Sequence, residues 1–127
     1  PLAVDEWSSF PLVGLPAAAF GQPGVQGEQV APSEPLVQRL AQQVRLTRYG
    51  TDCYAYALVA AGQIDLVVEA GLQTYDVQAP IAVIEAAGGV VTDWRGRPAH
   101  GGGRVLAAAN AAIHAEALAV LREAPEA

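Results

Sequence analysis

Apolar residues along this chain follow two patterns, helical spacing and short continuous runs. Helical spacing predicts helices at about 34–43, 77–87 and 111–123, and an Ala-rich segment between Gly50 and Gly62 predicts another at 51–61. Short apolar runs between turn residues predict strands at 44–48, 65–69, 90–93 and 105–109. Because the two kinds of element alternate, we predict an α/β fold with a mostly parallel or mixed sheet flanked by helices.

The first 34 residues lack any sustained period. Six of the nine prolines fall within the first 35 residues, and such a density breaks helices and central strands. We therefore predict an irregular Pro- and Gly-rich segment at 1–34, followed by an α/β domain at 35–127.

Two carboxylates mark the centre of the predicted domain. Glu69 ends an apolar strand, and Asp76 stands where the next helix is predicted to start. Ligands of open α/β sheets bind beyond the strand ends, so both side chains are expected at one crevice. The alternative for Asp76 is a helix N-cap that bonds a free backbone N–H, which is its commoner role when the spacing is considered alone.

Composition narrows the classes of function. The 127 residues are 52% hydrophobic and carry a net charge of −6, which argues against binding to nucleic acid or to an anionic membrane. No apolar run approaches the roughly 20 residues of a membrane span, and no leader is evident, so we expect a cytoplasmic protein. The single cysteine, Cys53, is expected to be a small buried side chain. The chain has no methionine, and we expect it to be part of a longer protein.

Glu69 is followed after five residues by Tyr75-Asp76, and then by Glu-Ala-Ala-Gly-Gly at 85–89. These two motifs resemble the inositol monophosphatase superfamily. The superfamily usually has Trp where Tyr75 stands, and Tyr is common in its histidinol-phosphate phosphatase branch. Pro80 departs from the superfamily, where a small residue is usual, and it could shift the first helical turn.

The run Gly-Thr-Asp-Cys-Tyr at 50–54 points to the same branch. Inositol phosphatases typically have a small apolar residue where Asp52 stands. Without the resemblance, Asp52 would be read as an acid that complements the dipole of a helix N-terminus.

The resemblance implies a fold like the carboxyl-terminal half of an inositol monophosphatase and magnesium-dependent hydrolysis of a small phosphate monoester. It assigns Asp76 as a Mg²⁺ ligand and Thr51, Asp52 and Glu69 as substrate-binding residues, and it implies a homodimer. The remaining metal ligands and the catalytic residues are expected in a missing amino-terminal half, so this portion alone should be inactive. Histidinol phosphate is the favoured substrate. The alternatives are inositol phosphate or another sugar phosphate, and a non-catalytic domain of the same fold.

Two histidine-containing segments are predicted to have no part in a site. The run His-Gly-Gly-Gly-Arg at 100–104 leads into a predicted strand, so we expect a hairpin or crossover loop rather than a phosphate-binding loop. His114 and Glu116 are expected to be solvated on the last helix.

Overall fold

A computed structural model describes residues 34–44 and 53–126. The helices are α1 Glu34–Ala41, α2 Cys53–Ala60, α3 Thr74–Ala86 and α4 Ala111–Leu121, and the strands are β1 Leu66–Leu72, β2 Val90–Thr92 and β3 Gly103–Ala108. All four predicted helices are present, with ends shifted by up to three residues. The predicted segment at 1–34 and the predicted strand at 44–48 fall almost entirely outside the described residues. No helix in the described ranges combines the length and the apolar character needed to cross a membrane.

The three strands form one sheet in the order β1-β3-β2. Strand β3 runs antiparallel to both of its neighbours, so the expectation of a mostly parallel or mixed sheet is not confirmed in the described residues. The outer strands β1 and β2 do run in the same direction, joined through α3. Strand β3 returns from β2 and inserts between these two strands, a non-local pairing that the order of elements does not reveal.

Helices cover both faces of the sheet. One face packs against α1 and α4 through a cluster that includes Leu40, Leu66, Leu106 and Leu121. The opposite face packs against α2 and α3 through another cluster, which includes Val59, Val67, Val77, Ile84 and Val105. Burial of each aliphatic side chain of this size stabilises the fold by about 1.5–3 kcal/mol. Consecutive residues of a strand point to opposite faces of the sheet. Because helices cover both faces, consecutive residues of β1 are buried and apolar.

A β-bulge interrupts β1 immediately after Glu69. Glu69 pairs with Val105, whereas Leu72 pairs with Gly103, so β1 takes three steps where β3 takes two. Gly71 accommodates the extra residue with a φ of 81°, a conformation that favours glycine. The strand therefore extends to Leu72, three residues beyond its predicted end, and its direction changes beside the buried Glu69.

The glycine run before β3 is a connection between paired strands, as predicted. Gly102 has a φ of 80° and lies against the backbone at the junction of β1 and α3. A Cβ atom at Gly102 would meet the carbonyl oxygen of Leu72 and would lie 2.8 Å from the carbonyl carbon of Gln73. Only glycine allows the loop to approach this junction so closely.

His114 corrects an expectation. It was predicted to be solvated, but it is buried on α4, and its Nε2 lies 2.7 Å from Oγ1 of Thr92. Burial lowers the pKa of His114, and the nearby charge of Arg122 lowers it further. The helical pattern missed this contact because Thr92 approaches from β2, which is distant in the sequence.

We predict that Gly102→Ala destabilises the protein by about 2 kcal/mol or more. The new methyl group would clash with backbone atoms and would hold alanine in the left-handed region, which costs about 1–2 kcal/mol by itself. Urea denaturation of the purified protein measures the change in unfolding free energy.

Gly101→Ala is the matched control, because a Cβ atom there meets no atom within 4 Å. We expect this neighbour to change stability by only about 0.5 kcal/mol. Equal losses in the two variants would contradict the close backbone approach at Gly102.

Candidate functional site

A cleft of about 310 Å³ lies where α2, the end of β1 and the start of α3 meet. Its lining consists of Cys53, Tyr56, Glu69, Leu72, Tyr75, Asp76, Ala79 and Pro80. The two carboxylates expected at one crevice, Glu69 and Asp76, therefore line the same cleft. The antiparallel direction of β3 does not disturb this arrangement, because the cleft is formed by β1 and the two helices on one face.

Glu69 supplies a buried carboxylate to the cleft. Its side chain is on the sheet face covered by α2 and α3, and the residue is only 4% exposed. The hydroxyl of Tyr56 on α2 donates a hydrogen bond to Oε2 of Glu69. Burial of an ionised carboxylate is costly unless hydrogen-bond donors accompany it, and Tyr56 is one such donor.

Asp76 supplies an exposed carboxylate at the N-terminus of α3. The helix starts two residues earlier than Asp76, and Gln73 is its N-cap. Oδ2 of Asp76 accepts a hydrogen bond of 2.8 Å from the backbone N–H of Gln73. Asp76 thus satisfies one of the backbone donors at the helix start, as in a capping box, and this contact orients its carboxylate at the cleft.

Pro80 leaves α3 unbroken. The helix continues through this residue to Ala86, so the departure from the superfamily does not end the helix. A proline has no N–H to donate to the carbonyl four residues earlier, which here belongs to Asp76.

Two lining residues differ from what the sequence predicted. Cys53, expected to be buried, is exposed at the first position of α2. The sequence predicted no role for Tyr56, which lines the cleft one turn after Cys53; the same helix carries a second tyrosine, Tyr54, so composition alone does not single Tyr56 out. Its role depends on Glu69, whose contact with α2 is not visible from spacing along the chain.

A comparison with protein families decides the class of this protein. The model of the inositol monophosphatase family matches residues 23–126. The chain belongs to the inositol monophosphatase family. The matched range includes every residue that lines the cleft.

Individual relatives are similar over part of their length. The chain is 51% identical over 65 residues to the bifunctional phosphatase IMPL2, chloroplastic, of Arabidopsis thaliana, covering 51% of this chain and 19% of that protein. It is 34% identical over 90 residues to a histidinol-phosphatase of Chlorobaculum parvum, covering 71% of this chain and 35% of that protein.

Solved structures give the same assignment. An inositol monophosphatase from Zymomonas mobilis superposes with a TM-score of 0.77 at 30% identity, covering 96% of this chain and 44% of that one. The α/β fold is therefore that of the inositol monophosphatase family. The chain spans less than half the length of these relatives, as expected for a carboxyl-terminal half.

The described part of this family member offers only some of the groups that a metal site needs. Within residues 34–44 and 53–126, no three His, Cys, Asp or Glu side chains lie close enough to hold a metal ion. The exposed carboxylate of Asp76 has the hard oxygen donors that Mg²⁺ prefers, so it fits the role of a single ligand. Thr51 and Asp52, the other residues assigned to substrate binding, are outside the described residues.

Proposed function

We propose that the full-length protein is a magnesium-dependent phosphatase that hydrolyses histidinol phosphate. The observation that carries this proposal is the position of Glu69 and Asp76 on one cleft. A site for a phosphate monoester needs a metal-binding end for the phosphoryl group and another end for the organic part. The exposed Asp76 suits the first end, and the buried Glu69 suits the second.

Asp76 would hold Mg²⁺ through its carboxylate, with further ligands from outside the described residues. When bound, Mg²⁺ supplies polarisation of the phosphoryl group, activation of water and stabilisation of the leaving oxygen. The contact with the Gln73 N–H fixes the carboxylate before any ligand arrives, which reduces the entropy lost on binding.

The charge of the cleft supports a cationic organic group. Histidinol phosphate carries an ammonium and an imidazole that titrates near neutrality, whereas inositol phosphate has only hydroxyls beyond its phosphate. A pair of opposite unit charges about 4 Å apart is worth from about 1 kcal/mol in water to about 4 kcal/mol near a protein surface. Glu69 lines the cleft, and Asp52 directly precedes the lining residue Cys53.

The names of the relatives support the same substrate class. The Chlorobaculum parvum protein is named a histidinol-phosphatase, and the match covers 71% of the present chain and 35% of that protein. The family resemblance also supports a homodimer. A cytoplasmic location, and the inactivity of these 127 residues alone, stay predictions.

Two alternative functions predict different activities of the full-length protein. An inositol or sugar phosphatase would use the same Asp76 but would gain little from Asp52, because a polyol needs no countercharge. A non-catalytic domain of the same fold would hydrolyse no phosphate monoester in its full-length form. A substrate panel assayed with Mg²⁺ separates these cases.

We predict that Asp76→Asn in the full-length protein lowers activity mainly by weakening metal binding. An amide oxygen carries no net charge, so the variant should need a higher Mg²⁺ concentration for half-maximal activity, and added Mg²⁺ should restore part of the rate. Titration of activity against Mg²⁺ measures the shift. Glu85→Gln, which changes an exposed carboxylate near the other end of α3, is the control. An unchanged Mg²⁺ requirement in Asp76→Asn would remove Asp76 from the metal site.

We predict that Asp52→Ala lowers selectivity for the cationic substrate. The ratio of kcat/KM for histidinol phosphate to that for inositol phosphate should fall by about tenfold, which corresponds to about 1.4 kcal/mol of lost charge interaction. Steady-state kinetics on both substrates give the ratio, and Glu85→Ala controls for the loss of one negative charge elsewhere on the protein. A ratio that stays constant would leave the substrate assignment to family resemblance alone.

A further inference from the structure

We propose that Tyr56 is a positioning residue that fixes the carboxylate of Glu69 for the organic part of the substrate, an inference that rests on the proposed function. The contact is specific, because the hydroxyl of Tyr56 donates to Oε2 of Glu69 between α2 and β1. Both residues also line the cleft. The partner of the carboxylate is therefore part of the cleft wall.

The surroundings hold the phenol in one place. Tyr56 is 3% exposed, and its ring packs in the apolar cluster between the sheet and α2, with Ala55, Val59, Ile64 and Val67. A ring packed in this way has few available rotamers. The hydroxyl thus reaches Glu69 from a fixed direction, and the carboxylate is oriented by a rigid donor.

The chemistry of the donor suits a site for a cation. A phenol is neutral near pH 7, so its hydrogen bond stabilises the carboxylate without adding a positive charge. A lysine or arginine at this position would add a positive charge that opposes binding of an ammonium or imidazolium. Tyr56 therefore contributes to selectivity through the orientation of Glu69.

The bulge in β1 adds a reason for such a contact. The ladder with β3 loses its register directly after Glu69, so strand pairing constrains the backbone less beyond this residue. A side-chain contact from α2 compensates at this point, because it ties Glu69 to a helix that packs on the same face of the sheet.

The test is Tyr56→Phe in the full-length protein with Mg²⁺. This change removes the hydroxyl and keeps the ring. We expect kcat/KM for histidinol phosphate to fall by roughly tenfold, mostly through KM, because a hydrogen bond to a charged group is lost. The Mg²⁺ concentration for half-maximal activity should not move, since Asp76 is unaffected. Tyr54→Phe is the matched control: Tyr54 lies on the same helix but is 63% exposed and does not line the cleft.

A double-mutant cycle separates positioning from a structural effect. In the Glu69→Gln background, adding Tyr56→Phe should change kcat/KM for histidinol phosphate by less than about twofold, because the carboxylate to be positioned is gone. An equal fall in both backgrounds would overturn the proposal. If the unmodified protein hydrolyses a different ester of the panel, the proposed substrate is wrong, and the same cycle on that ester decides the role of Tyr56. Absence of turnover with every ester would overturn both proposals.

Discussion

The burial of the Glu69 carboxylate is the constraint on which this site depends. A charged group that is removed from water requires donors at fixed positions, and α2 supplies one through Tyr56. Helix α2 must therefore pack on the sheet face to which Glu69 points, and Val59 and Val67 provide the apolar contact that holds it there. The contact between α2 and the sheet therefore both fills the core on this face and places Tyr56 beside Glu69 in the cleft.

The second carboxylate is positioned by backbone contacts. Asp76 lies in the first turn of α3, and the start of that helix follows directly from the end of β1. The loop at Gly102 packs against this junction, so a residue far along the chain limits where α3 can begin. Because β1 carries Glu69 and leads into α3, the two carboxylates have a fixed spatial relation. The backbone of β1 and α3, more than the side-chain conformations, sets the distance between the two carboxylates.

Local periodicity was sufficient to predict much of this structure. Helix α3 was predicted from helical spacing, and its buried residues Val77, Ile81 and Ile84 have that spacing. The apolar run at 65–69 correctly indicated a strand, and helices cover both faces of its sheet. The place of Glu69 at a strand end and of Asp76 near a helix start correctly indicated two acids at one cleft, since a short strand-to-helix connection leaves them little freedom to separate.

Non-local contacts account for what the sequence did not predict. Neighbouring strands are antiparallel because β3 inserts between β1 and β2, and no local sequence pattern predicts that pairing. Tyr56 and His114 each contact a residue of another element. For this reason the sequence did not indicate that Tyr56 lines the cleft, and it wrongly predicted that His114 is solvated. Exposure of Cys53 depends on its place at the very start of α2, and helix ends are the least predictable positions.

The central claim is that Glu69 and Asp76 act on opposite ends of one substrate. The most direct measurement is a crystal structure of the full-length protein, inactivated at a residue outside this cleft, with Mg²⁺ and histidinol phosphate bound. We predict a Mg²⁺ ion about 2.1 Å from an Asp76 oxygen and a nitrogen of the substrate about 3 Å from the Glu69 carboxylate. A substrate bound with its amino and imidazole groups away from Glu69, or a metal ion without Asp76 as a ligand, would contradict the account.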